Sequence, residues 1–173
     1  MFADLAARLG PSERERLSFA AHDAGGAAVL VPRSGLAQAL ETLVRNALDA
    51  QARRITLSVE PDAATLRLVV ADDGQGMPPA VLERLGEQFF TTKAPGAGMG
   101  LGVFLARSFA EAWGGRLSYS SEVGAGSRAV LELPAARADE GEDEGEDEGA
   151  ALATLASRSA GPPPATTAEE RHV

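Results

Sequence analysis

The stretch Lys93-Ala-Pro-Gly-Ala-Gly-Met-Gly-Leu-Gly102, KAPGAGMGLG, puts four glycines into the seven residues from Gly96 to Gly102 and leads into an amphipathic segment. Glycine loses more conformational entropy on folding than any other residue. Such a cluster is therefore either left loose or used to bring backbone close to something else. The two common phosphate motifs do not fit. No glycine here precedes Lys-Ser or Lys-Thr as in a P-loop, and the third glycine of G-x-G-x-x-G would fall on Leu101 or Val103. The junction with the following helix still offers free N–H groups at the positive end of a macrodipole, which suits an anion. A hinge and an anion site are both compatible with this loop taken alone.

Around the loop the hydrophobic periods alternate between helix and strand. From Gly35 to Ala52, Leu36, Leu40, Leu43, Ala47 and Ala50 recur at steps of three and four, with Ser34 as the expected cap. Leu101 to Trp113 forms a second helix stopped by Gly114-Gly115, and Ala80 to Leu85 a short third. Short strands are expected at Leu17 to Ala21, Ala28 to Val31, Ile55 to Glu60, Leu66 to Ala71, Arg116 to Ser121 and Arg128 to Leu133. The order predicts an α+β fold, a two-layer sandwich in which a mixed, mostly antiparallel sheet is covered on one face by about three helices.

Composition narrows the function classes. The chain of 173 residues has no cysteine and only His22 and His172 as histidines, which excludes disulfides and thiolate zinc and leaves oxygen-bound metals such as Mg²⁺. No run approaches a membrane span and the N-terminus does not read as a signal peptide, so a cytoplasmic location is expected. The net charge of −9 is concentrated at one end: residues 135–173 hold ten of the 25 acids, eight of them within 139–148, and three of the 16 basic residues. The expected organisation is a helical segment at 1–16, a nearly neutral globular domain at 17–134, and a disordered acidic tail at 135–173. The helical segment reads as the end of an upstream dimerisation helix. Nothing in the composition suggests nucleic-acid binding or membrane contact.

Two further loops carry polar groups in unusual places. Asp72-Asp-Gly-Gln-Gly76 puts a carboxylate where an apolar strand ends, followed by Gly74 and Gly76, which leave room for a flat ring. The carboxylate can accept a hydrogen bond from an exocyclic amine. Asn46 borders the apolar stripe of the first helix, where a carboxamide is a poor helix choice unless its oxygen has a partner. A metal bridged to phosphates would be one.

Taken in order, Asn46 in LVRNALDA, Asp72-x-Gly74-x-Gly76, Phe89-Phe90 before Thr-Thr-Lys93, Gly98-Met-Gly100-Leu-Gly102 and Gly124-Ala-Gly126-Ser127 resemble the N, G1, F, G2 and later glycine boxes of the ATP-binding domain of sensor histidine kinases. The resemblance covers about 17–134 and is most like the RegB type. It implies a Bergerat-type fold holding ATP and Mg²⁺ between the Asn46 helix and a lid from about Leu85 to Gly100. On that basis Asn46 would ligate Mg²⁺ and Asp72 would read the adenine amine, with Gly74 and Gly76 lining the base. Lys93 and the backbone of Gly98, Gly100 and Gly102 would hold phosphates, and Ser127 would lie near the base. Asp49, Met77, Thr92, Met99 and Leu101 complete the implied ATP-contacting set, and Phe89 and Phe90 would anchor the lid. The implied partners are a histidine phosphoacceptor domain and a response regulator.

The departures from the pattern shape the expectation. ATPases of this fold carry a glutamate four residues before the metal asparagine, where this chain has Thr42. Glu41 is one residue further back and on another side of the helix, so hydrolysis as the main activity is disfavoured. The phosphoacceptor motif of a dimerising helix is not evident, since His22 sits in a turn-like Asp-Ala-Gly-Gly context. The phosphoryl group is expected to go to a histidine elsewhere; the alternative is an ATP-dependent protein-binding regulator of the same fold, either an anti-sigma-factor-like serine kinase or a non-catalytic ATP-binding module.

Overall fold

The computed structural model describes residues 2–21, 28–62, 64–94, 98–136 and 152–154. Alternation in ITLSVE and the dense apolar run LRLVV make β3 (Ile55–Pro61) and β4 (Thr65–Asp72) an antiparallel pair at the middle of a five-stranded sheet. The order is β1-β3-β4-β6-β5, with β1 (Leu17–Ala21), β5 (Arg116–Glu122) and β6 (Gly126–Pro134). Only β1 and β3 run parallel; the other ladders are antiparallel. Register places Val59, Leu68, Leu131 and Leu117 in one row across four strands, and all four are buried.

That face is covered by α3 (Arg33–Asp49) and α5 (Gly102–Ala112). Leu36, Leu40, Leu43, Val44 and Ala47 of α3 are buried, and each large side chain contributes about 1.5–3 kcal/mol of hydrophobic stabilisation. The two helices come close at Gly35, where a β-carbon would stand 2.5 Å from a Phe109 ring carbon. α3 starts earlier than expected: Pro32 is its N-cap, its carbonyl accepting from the Leu36 amide at 3.0 Å, and Ser34 lies inside the first turn. Proline has no side-chain acceptor, so this helix start carries no side-chain cap hydrogen bond. At the N-terminus α1 (Phe2–Ala7) and the single turn α2 (Pro11–Arg14) precede β1, and Leu5 and Leu9 join the core. The short α4 (Pro79–Arg84) follows the Asp72 loop. On the outer face Arg128 reaches over β4 to both carboxylate oxygens of Glu60, at 2.9 and 3.1 Å, and Val69 on that face is also buried.

Of the tail, residues 135–136 and 152–154 are among those described. β7 (Leu152–Thr154) pairs antiparallel with β2 (Ala28–Leu30), and the amides of Ala135 and Ala136 bond the carbonyls of Ala64 and Ala28. A strand edge binds any backbone that presents N–H and C=O groups, so composition, which reports side-chain burial, does not reveal such pairing. The remainder of 137–173 lies outside the described residues, as do His22 and His172.

Backbone interlocks hold the loops at one end of the sheet. Gly126 (φ +92°) lies against the Asp72 carbonyl, where a β-carbon would come within 1.9 Å of the oxygen. Gly76 would bring its β-carbon equally close, 1.9 Å, to the Glu122 carbonyl oxygen. Gly100 (φ +67°) packs on the backbone of Phe89 and Phe90, at 2.6 Å from a would-be β-carbon. Phe89 itself has φ 62°, a left-handed conformation that costs a bulky residue energy, and its side chain is 71% exposed. It therefore does not anchor the segment from the core, as the sequence suggests; the half-buried Phe90 lines the cavity instead, with Arg84 4.2 Å above its ring.

Two stability predictions follow from these contacts. Gly126→Ala should cost more than about 2 kcal/mol, because a steric clash with backbone adds to the unfavourable φ, whereas Gly124→Ala should cost about 1 kcal/mol, since Gly124 has φ +81° but open space around it. Chemical denaturation of the two variants compares them directly; equal losses would show that the Asp72 contact is not what constrains Gly126. Phe89→Gly should raise stability by up to about 1 kcal/mol, with a corresponding rise in melting temperature.

Candidate functional site

The loops at the end of the sheet that carries Asp72 surround a cavity of about 550 Å³, bounded by α3, the end of β4, the segment 75–77, residues 85–93 and 98–102 and the inner face of β5 and β6. Asn46, Asp49, Asp72, Gly76, Met77, Thr92, Lys93, Gly98, Met99, Gly100, Leu101, Gly102 and Ser127 all line it. Gly74 does not. It stands behind Asp72, where a β-carbon would lie 2.7 Å from the Ala50 carbonyl oxygen, so it lets the loop pass close to the end of α3.

Asp72 is the last residue of β4, in register with Ile55 on one side and Ser127 on the other. Its carboxylate accepts the Gly74 amide at 2.8 Å. Partial burial pushes its pKa up; the backbone hydrogen bonds from Gly74 and Ser127 oppose this, and the neighbouring Asp73 adds to the rise. Asp73 points the other way, accepting the amides of Arg53 and Arg54 at 2.7 and 2.8 Å, and these bonds, Arg54's first, hold its pKa down. Two adjacent acids thus divide the work: one ties the loop to the connection between α3 and β3, the other faces the cavity.

The loop after Asp72 is fixed by the β5–β6 hairpin through Ser121. That hydroxyl accepts the Met77 amide at 2.8 Å and donates to the Gly126 carbonyl at 2.9 Å. A hydroxyl has one proton to give, so Ser127, 2.9 Å away, is then the donor to Ser121. The Gln75 amide bonds the Ala50 carbonyl at 2.9 Å, and the Gly124 amide bonds the Gln75 carbonyl at 2.8 Å.

On the opposite wall Asn46 is half-buried and Asp49 exposed near the mouth. Lys93 forms an ion pair with Asp49, bridging the 85–102 segment to α3. Glu41 is turned out of the cavity, as the helical angle predicts, and is held by Arg45 at 2.9 Å and Arg8 at 3.2 Å. Thr42 takes the inward position and sits 2.9 Å from where a Gly102 β-carbon would be, so Gly102 lets the start of α5 approach α3. Gly98 is less constrained, meeting only the flexible Lys93 side chain, and Gly96 lies outside the described residues.

Three contributors were not foreseen from sequence. Ser121 is the hub just described. Arg107, on α5, bonds the Leu85 carbonyl at 2.8 Å and packs under Gly86, fastening the start of the 85–102 segment. Tyr119 lines the cavity floor from β5, with its hydroxyl buried. Strand alternation places Leu117, Tyr119 and Ser121 on one face, a signal available in the sequence, but nothing there says which inward polar atoms reach the cavity.

Residues 32–137 match the family described as histidine kinase-, DNA gyrase B- and HSP90-like ATPases. The chain is 38% identical over 119 residues to the sensor protein FixL of Bradyrhizobium diazoefficiens, covering 66% of this chain and 23% of that protein. It is 43% identical over 114 residues to the sensor protein kinase FleS of Pseudomonas aeruginosa, covering 65% of this chain and 28% of the relative. The sensor histidine kinase RegB of Cereibacter sphaeroides is 30% identical over 102 residues, covering 54% of this chain and 22% of RegB, so the RegB type is not singled out. Among solved structures, full-length ShkA in complex with AMPPNP matches 79% of this chain and 29% of its own with a TM-score of 0.68 and 25% identity. The mycobacterial sensor histidine kinase MprB, at 23% identity and a TM-score of 0.63 over 79% of this chain and 97% of its own, shares the fold. The chain spans about a quarter of the length of the curated relatives it matches. With the five-stranded sheet, the glycine interlocks and the match over 32–137, the chain belongs to the histidine kinase-, DNA gyrase B- and HSP90-like ATPase family, as a domain homologous to the catalytic domains of sensor histidine kinases.

Proposed function

We propose that this chain binds Mg-ATP in the cavity between α3 and the 85–102 segment and acts as the catalytic domain of a two-component histidine kinase, donating the γ-phosphoryl group to a histidine of a phosphoacceptor domain. The observation that carries this reading is the convergence on one cavity of a half-buried Asp72 carboxylate at one end and the Gly100–Gly102 helix start with Asn46 at the other. The first matches a base amine; the second matches phosphates. The same reading is supported by the names of the relatives and by the AMPPNP bound to ShkA. A response regulator would receive the phosphoryl group next. Among the described residues no helix is long and apolar enough to cross a membrane; a cytoplasmic setting is part of the proposal.

In this reading Asp72 accepts the adenine amine, Gly76 and Met77 border the ring, and Ser127 reaches the base through water. Thr92, Met99 and Leu101 flank the nucleotide, and Gly98 to Gly102 present backbone to the phosphates. Lys93 exchanges Asp49 for a phosphate. Among the described residues no cluster of three His, Asp or Glu side chains could hold a metal alone. A single hard oxygen donor, the Asn46 carboxamide, fits Mg²⁺ that takes its remaining ligands from phosphate and water. When bound, the ion neutralises phosphate charge. In the transfer, an imidazole nitrogen of the acceptor forms the P–N bond while the bond from the γ-phosphorus to the β–γ bridging oxygen breaks and ADP leaves. The protein supplies position and charge complementarity. With Glu41 bound to two arginines outside the cavity, transfer to a protein is favoured over hydrolysis.

Calorimetry tests the assignment. Asn46→Asp and Asp72→Asn should each weaken Mg-ATP binding by at least about tenfold, or 1.4 kcal/mol, without unfolding the domain; unchanged affinity in both would refute it. Stability should move the other way for Asp72. Its folded pKa is raised, so its charge costs stability above that pKa, and the cost fades as pH falls through it. Asp72→Asn should therefore melt higher than the parent at neutral pH, with the gap closing as pH is lowered towards the ordinary aspartate range of about 4.

A further inference from the structure

Tyr119 stands on β5 opposite Ala129, on the face that also carries the buried Leu117. Its ring packs against the core, so an apolar residue would serve that purpose equally well. Its hydroxyl is different. It is buried, Tyr119 lines the cavity together with Asn46, and the hydroxyl has no hydrogen-bond partner among the described residues. The groups that influence it electrostatically are the Asn46 carboxamide on α3, the Arg107 guanidinium on α5 and the Asp72 carboxylate on β4. Of these three, the Asn46 carboxamide is the uncharged one, with both a donor and an acceptor end. A buried hydroxyl without a good partner costs stability, and replacing it by hydrogen would remove that cost. Packing therefore does not account for the oxygen atom.

We infer that Tyr119 is a positioning residue for Asn46: when nucleotide and metal bind, its hydroxyl oxygen takes a hydrogen bond from the Asn46 amide nitrogen, a bond the structure does not already contain, and so turns the amide oxygen towards the metal and phosphates. This rests on the Mg-ATP reading above. The two ends of a carboxamide are a donor and an acceptor of nearly the same size, and a side chain free to flip would present the wrong one to a cation half the time. An acceptor reserved for the amide nitrogen removes the ambiguity, as partners of metal-binding side chains generally do. Burial pushes the Tyr119 pKa up, so the group stays a neutral phenol and adds no charge to the site.

The test is Tyr119→Phe in the complete 173-residue chain, with Asn46→Asp in parallel. ADP affinity is measured by calorimetry in EDTA and again with Mg²⁺, and melting temperature without ligand. Tyr119→Phe should leave the metal-free affinity and the fold intact, melt at or above the parent temperature, and reduce the gain in affinity conferred by Mg²⁺ by about tenfold. An unchanged Mg²⁺ gain overturns the inference. So does a matched loss of metal-free and metal-bound affinity with a lower melting temperature, which would mark Tyr119 as a packing residue. If Asn46→Asp also leaves the Mg²⁺ gain untouched, the metal assignment itself fails; if it removes the gain while Tyr119→Phe does not, only the role of Tyr119 fails.

Discussion

The Asp72 carbonyl oxygen leaves no space for a β-carbon at Gly126, and the Glu122 carbonyl leaves none at Gly76. These two contacts join the loop after β4 to the β5–β6 hairpin backbone against backbone, with no side chain between them. A side-chain contact can shift by a rotamer; this one cannot. The Asp72 carboxylate is therefore presented from a rigid support, although it sits at the end of a strand where loops usually begin to move. Ser121, bonded to Met77, Gly126 and Ser127, adds a polar tie across the same seam.

The other side of the cavity is built on a different principle. Asn46 and Asp49 project from a helix whose apolar face is fully committed to the core, so their directions are fixed by the burial of Leu43 and Ala47 beside them. The residues facing them, from Thr91 to Met99, are exposed where they are described. Their contact with α3 is the Lys93–Asp49 ion pair, and an exposed pair of this kind contributes little stability, about 0–1 kcal/mol. One wall is thus held by sterics and the other by an easily exchanged charge contact.

Much of this was readable from the residues. The stripe of α3, the strand runs around ITLSVE and LRLVV, and the glycines at 76, 100, 102 and 126 are each consequences of period or of chain stereochemistry, which act locally and so leave local marks. Glu41 facing away from the cavity followed from the helical angle alone. What escaped was set by tertiary context. The Pro32 cap, the exposed and strained Phe89, the β2–β7 pairing and the Arg107 bond to Leu85 depend on which distant backbone happens to be adjacent. Tyr119 illustrates the boundary: strand alternation gives its direction, but the Asn46 side chain that shares its cavity comes from a residue more than seventy positions away.

The Arg107 contact has a mechanical meaning. Arg107 belongs to α5, the helix that begins at Gly102, and it grips the carbonyl of Leu85. Both ends of the stretch over the cavity are thereby fastened to one rod. The attachment at Gly102 is covalent and the one at Leu85 is a single hydrogen bond, so losing the Arg107 guanidinium would release one attachment and leave the other.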